Sequence, residues 1–212
     1  MPAPAPGHPD ERNESMTRGP FLPVRDDLPG ITGLLEYRVD SAMPIRELTQ
    51  ILLRGPSTLT QGERELIATH VSNRNECRFC TTAHTAAAEI LLGEGDTVEA
   101  VKRDPQSAPV SPKLRALLNI AGRVQENGRL VTDADVASAR AEGATDREIH
   151  DTVLIAALFC LYNRYVDGLG AFTPEDPGFY QRLGDRIVNR GYLRPDEGFP
   201  APGAAPATPD RS

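Results

Sequence analysis

Residues 60–93 read TQGERELIATHVSNRNECRFCTTAHTAAAEILLG, and this stretch decides how the chain folds. Thr60-Gln61-Gly62-Glu63 matches the S/T-x-x-E capping box, in which threonine and glutamate satisfy each other's backbone N–H groups at a helix start. A helix is therefore expected from this box to about Ser72. The segment SNRNE, residues 72–76, is polar and suits a tight turn. A second helix is expected from Glu76 or Cys77 to Gly93, where glycine accepts the left-handed conformation that ends a helix. The two helices make an antiparallel hairpin.

The second helix carries the chemistry. Cys77, Cys80 and His84 follow the spacing C-x-x-C-x-x-x-H. At 100° per residue these three positions fall within an arc of roughly 60°, so both thiols and the imidazole share one face. Cys80 and His84 are an i,i+4 pair in reach of each other. In the first turn, unpaired N–H groups and the positive end of the helix dipole favour a thiolate, and Arg78 acts in the same direction. Hairpin symmetry adds a fourth residue. The midpoint of 65 and 84 lies inside the turn, so Glu65 is expected level with His84, able to orient the ring and raise its basicity.

Working outward, Pro44 is expected just inside the start of a helix that Gly55-Pro56 stops. Residues 104–112 form a proline-broken connection. Ser111-Pro112 opens KLRALLNIAGRVQE, and Thr132 caps DADVASARAEG. Thr145-Asp146-Arg147-Glu148 is a further capping box, opening a long helix to Leu169. The centre of that helix, VLIAALFCLY, is apolar nearly all round, which suits a large core or a subunit interface. A final helix is expected at about 178–190. Residues 1–29 hold seven of the nineteen prolines and 193–212 five more, so both ends are expected as disordered tails around an all-helical domain at 30–192. Strand periodicity is weak throughout.

Composition narrows the function. The formal net charge is −7, no basic run stands out and tryptophan is absent, so neither nucleic acid nor an anionic membrane is an expected partner. Three cysteines do not make a disulfide framework. A close CxxC suits a reducing compartment. The N-terminal MPAPAPGHPDERNES does not read as a signal peptide, and the longest apolar run is too short to span a bilayer. A cytoplasmic protein is expected.

On the residues alone, three readings of the cysteine helix stay open. It is a redox pair with a resident base; or a zinc site of Cys77, Cys80 and His84 with Glu65 or His70 as fourth ligand; or a core helix that contains two thiols. His70 lies on an apolar stripe and is expected to pack, with Phe79 as its mirror position and stacking partner. Cys160 is expected as a small buried hydrophobe. His150 is expected to be structural, and Glu63 to cap.

The combination of Glu65 with C-x-x-C-x-x-x-H twelve positions on, in the setting LTQGERELIATHVSNRNECRFCTTAH, resembles the alkylhydroperoxidase (AhpD-like) branch of the carboxymuconolactone decarboxylase family. ATDREIHDTVLIAALFCLYNRYVDGLG, with its Asn163-Arg164 pair, is similar to the later helices of the branch's peroxidase-related members. The resemblance covers roughly residues 45–192. It implies an all-α AhpD-like bundle in a homo-oligomer (trimer, hexamer or dimer) that reduces organic hydroperoxides without metal, flavin or haem. Cys80 would attack, Cys77 would resolve, Glu65 and His84 would relay protons, and an external dithiol or redox protein would return the electrons. The best-studied members carry a histidine directly before the second cysteine, where this chain has Phe79. Two alternatives accompany this expectation: a lactone decarboxylase on the same fold, and a non-enzymatic redox-sensing oligomer.

Overall fold

The structure, a computed structural model, describes residues 19–199. Those residues are helical, with no strand among them. The helices are α1 (Ile31–Tyr37), α2 (Val39–Arg54), α3 (Gln61–Arg74), α4 (Arg78–Leu92), α5 (Asp96–Arg103), α6 (Pro112–Asn127), α7 (Asp133–Ala141), α8 (Asp146–Gly168) and α9 (Pro177–Arg190).

The α3–α4 hairpin is the centre. Both expected capping boxes form: Thr60 with Glu63, and Thr145 with Glu148, each with its two reciprocal bonds. Thr132 and Asp135 make a third. Helix α4 starts at Arg78 with Cys77 as its N-cap and ends on Gly93 in the left-handed conformation. Helix α3 runs to Arg74, so the turn is shorter than SNRNE suggests, and Glu76 takes a positive φ of 57° to close it. Helix α9 packs against α4 where Gly184 meets the backbone and Cβ of Ala86. Helices α6 and α8 pack together and against α3.

One expectation shifts. Helix α2 begins at Val39, five residues before Pro44, which the helix accommodates inside. Proline there forfeits the N–H bond to the Asp40 carbonyl one turn back. Within the chain the helix buried on every side is α3: every residue from Arg64 to Ser72 is buried, while Leu161 on α8 is 44 % exposed. The polarity of RELIATHVS hides this in the sequence. Its charged side chains are buried because each has a partner. Arg64, for instance, donates to the carbonyls of Leu52 and Gly55 at 2.9 Å each, capping the negative end of α2. Helices α1 and α5, of seven and eight residues, carry no periodicity long enough to find in advance.

Parts of both expected tails pack against the helices. Phe21 N–H donates to Leu169 C=O at 3.0 Å. Arg194 pairs with Glu36 at 2.8 Å. Residues 1–18 and 200–212 lie outside the described residues. No helix among the described residues is long and apolar enough to cross a membrane.

Glu148 joins three elements. It caps α8, accepts from Lys113 of α6 at 2.7 Å and from Thr58 at 2.9 Å. Burial pushes its carboxyl up, but Lys113 and the threonine donors outweigh burial and bring it from 4.5 down to about 2. A depressed carboxyl contributes stability above its unfolded value, and that contribution is lost as pH falls through the folded one. Urea-unfolding free energy should therefore fall between pH 4.5 and about 2, and Glu148→Gln should flatten that fall while lowering stability at pH 7. An unchanged pH slope in the variant would contradict this account.

Candidate active site

The hairpin sets Glu65 of α3 level with His84 of α4, and Glu65 Oε2 lies 2.7 Å from His84 Nδ1. Glu65 is fully buried. Its other oxygen, Oε1, accepts from Arg54 Nη2 at 2.6 Å and from a short bond with the Tyr192 hydroxyl. The Arg54 guanidinium also lies over the Tyr192 ring, 5.0 Å from its centroid. Burial alone would raise the Glu65 carboxyl. His84, Arg54 and Tyr192 outweigh it and hold the group below its ordinary value, so Glu65 is a carboxylate at neutral pH.

The ring of His84 is fixed on three sides. Glu65 takes Nδ1, Phe159 of α8 meets it edge-on at 4.6 Å, and Tyr192 stacks near-parallel at 6.1 Å. With a carboxylate on Nδ1, that nitrogen carries the proton and Nε2 is the basic one. His84 and Cys80 line the same cavity, of about 60 Å³, with Phe79, Tyr162 and Tyr192 among its other walls.

Cys77 and Cys80 are reduced and buried. Cys80 sits in the first turn of α4. The adjoining Cys80 sulfur and burial together push the Cys77 thiol well above the usual thiol range. Cys77 is thus held protonated. The nearby Asp167 carboxyl of α8 adds to that rise; burial raises Asp167 itself, and the Cys77 thiol partly offsets it. Asp167 borders an open polar depression with Asn75, Asn163 and Arg164.

Of the four residues singled out in the sequence, Glu65 and His84 are joined by a hydrogen bond, His84 and Cys80 line one cavity, and Cys77 lies at the start of the same helix outside that lining. Others are not where the sequence puts them. His70 does not stack on Phe79. It faces α6 beside Gly122, where burial and the Arg74 charge lower it to about 4 and leave it neutral. That also removes it as a fourth zinc ligand. Among the described residues no cluster of histidine, cysteine and carboxylate side chains is arranged to hold a metal ion. Phe79 packs instead on Phe179 and Tyr180, and its ring fills the space above Gly30, whose φ is 59°. Cys160 is only half-buried and contacts Asn75 Nδ2 at 3.5 Å, so it is less a plain hydrophobe than expected. His150 is exposed and pairs with Asp151. Asn163 is buried, bridging Ser72 and Asn75. Arg54, Tyr192 and Asp167 were not anticipated, because each reaches the site from a different part of the chain.

Residues 44–121 match the model of the carboxymuconolactone decarboxylase family. Among solved structures, the chain is similar to the alkylhydroperoxidase AhpD core of an uncharacterized peroxidase-related protein from Ralstonia eutropha. The two share 28 % identity and a TM-score of 0.66 over 74 % of this chain and 80 % of that one. The fold is AhpD-like. An uncharacterized peroxidase-related protein from Silicibacter sp. shares the fold at 24 % identity, with a TM-score of 0.67 over 78 % of this chain and 93 % of that one. No curated protein matches. The matched segment 44–121 contains the whole α3–α4 hairpin.

Arg54 and Glu65 form a pair whose side chains are 6 % and 0 % exposed. Removing one member of such a pair strands the other charge, at a cost of about 3–5 kcal/mol. Glu65→Ala should lose that much in equilibrium unfolding, and the double variant Glu65→Ala, Arg54→Met should recover part of it. A single-variant loss below about 1 kcal/mol, the level of a surface ion pair, would count against the pairing.

Proposed function

We propose that the protein is a thiol-dependent peroxidase that reduces organic hydroperoxides through Cys77 and Cys80. The observation that carries this reading is the sharing of one small cavity by Cys80 and His84, with a fully buried Glu65 carboxylate behind the imidazole.

In this reading His84 Nε2 takes the Cys80 proton. The Cys80 thiolate attacks the terminal peroxide oxygen, and the O–O bond breaks. The alcohol leaves with a proton from His84, and Cys80 is now a sulfenic acid. The Cys77 sulfur then attacks Cys80. Its proton leaves with the hydroxyl as water and a disulfide forms. An external dithiol, or a redox protein that carries one, supplies two electrons and two protons to restore both thiols. Cys77, being held protonated, suits the resolving role and Cys80 the attacking one. Arg54 and Tyr192 act as positioning residues: both hold Glu65, and Tyr192 also stacks on the His84 ring. A homo-oligomer in a reducing cytoplasm belongs to the same reading, which the resemblance suggests and the exposed Leu161 on α8 suits.

Peroxide consumption with dithiothreitol as donor tests the cycle. Wild type should lose two thiols per equivalent of cumene hydroperoxide and regain both. Cys80→Ser should be inactive. Cys77→Ser should stop after one turnover with a sulfenic acid that dimedone traps. Equal activity in all three proteins would sink the mechanism, and thiol loss without recycling would mark a sensor instead. Glu65→Gln should slow the first oxidation by about 10²–10⁴-fold, the usual worth of general acid–base help, while leaving both thiols titratable.

A further inference from the structure

The far wall of the Cys80 cavity carries two arginines, Arg46 from α2 and Arg186 from α9. Their circumstances differ. Arg46 is answered by Glu36 at 3.1 Å, although its Nε has no hydrogen-bond partner among the described residues. Arg186 is half-buried and has neither an ion pair nor a hydrogen bond among the described residues. Its contact is the face of Phe199, 5.5 Å from the ring centroid, and the same ring lies 5.7 Å from Arg46. A ring face attracts a cation but accepts none of the five guanidinium N–H groups in the plane where they point. Burial lowers Arg186, and the neighbouring Arg46 charge lowers it further.

The other walls near these arginines are apolar, with Leu35, Phe79 and Leu183 among them. A cavity for a wholly apolar peroxide needs no such cation, because placing an uncompensated charge in an apolar site is unfavourable. It becomes favourable when an anion enters and takes paired N–H bonds from the guanidinium. We propose that the site is built for an organic hydroperoxide that carries a carboxylate, held by Arg186 while its peroxide end meets Cys80. This deepens the peroxidase reading and rests on it for the peroxide end only. The cavity of about 60 Å³ admits a few water-sized groups, enough for the reacting head. The carboxylate end therefore lies toward Phe199 and displaces its ring from Arg186.

Two measurements on the full chain separate the anion site from the chemistry. The first follows alkylation of reduced Cys80 by iodoacetamide, read by mass spectrometry, with hexanoate or hexanamide as the protecting probe. Hexanoate should protect at a concentration about tenfold below hexanamide, the scale of one charge-assisted hydrogen bond. Arg186→Gln should bring the two probes together, and Arg186→Lys should keep part of the difference. Each ratio is internal to one variant, so lost stability does not mimic it. Equal protection by both probes in wild type would overturn the proposal. So would an unchanged preference in Arg186→Gln, the result if that arginine serves only to hold Phe199. The second measurement compares kcat/KM for a six-carbon hydroperoxy acid and its amide, where wild type should favour the acid by a similar factor. Acid-selective protection without oxidation by either peroxide would uphold the anion site and remove the peroxidase reading. Equal oxidation of both, without selective protection, would do the reverse.

Discussion

Everything at this site leans on one buried carboxylate. Glu65 has no exposed surface, so its charge survives only because Arg54, His84 and Tyr192 surround it. Those partners come from the end of α2, from α4 and from the segment after α9. The constraint runs both ways. The carboxylate fixes which nitrogen of His84 is basic, and the requirement for three partners holds four parts of the chain in one arrangement. A packed apolar residue at position 65 would be easier to bury, so the carboxylate is better understood as an organising group than as a source of stability.

The pair of thiols is asymmetric for an equally local reason. Cys77 sits at the N-cap position of α4 and is wholly enclosed, with Cys80 and the Asp167 carboxyl near enough to act on it. Cys80, three residues on, reaches the cavity. Two identical side chains on one helix turn thus differ in which neighbours they meet, and that difference separates an attacking sulfur from a resolving one in the proposed cycle. Phe79 between them belongs to an aromatic cluster with Phe179 and Tyr180, so the residue that departs from the best-studied relatives is taken up in packing.

The hairpin was legible in the sequence because its signals are local: a capping box, a polar turn, a terminal glycine and a C-x-x-C-x-x-x-H spacing. Reflection about the turn was enough to bring Glu65 to His84. The same reflection failed for His70 and Phe79, since the two positions turn to different neighbours, α6 for one and α9 for the other. Burial of α3 was hidden by its polar composition. A charged residue in a sequence does not reveal whether a carbonyl or a carboxylate waits for it elsewhere. Arg54 and Tyr192 illustrate this: they lie 11 and 127 residues from Glu65, and no periodicity connects them. The pair of capping boxes at Thr60 and Thr145 carried the remaining helix assignments well, because caps are set by neighbours three residues apart.

Tyr192 is the last of the site residues in the chain, and synthesis runs from the N-terminus. While the polypeptide is still being made, both cysteines and His84 are already outside the ribosome, and the α3–α4 hairpin has what it needs to form. Glu65 at that stage lacks the phenol that shares it with Arg54, and His84 lacks the ring stacked on it. The nascent chain therefore displays two thiols before it possesses the surroundings that direct their ionisation. Order of translation, by itself, keeps the site incomplete until the segment after α9 folds back.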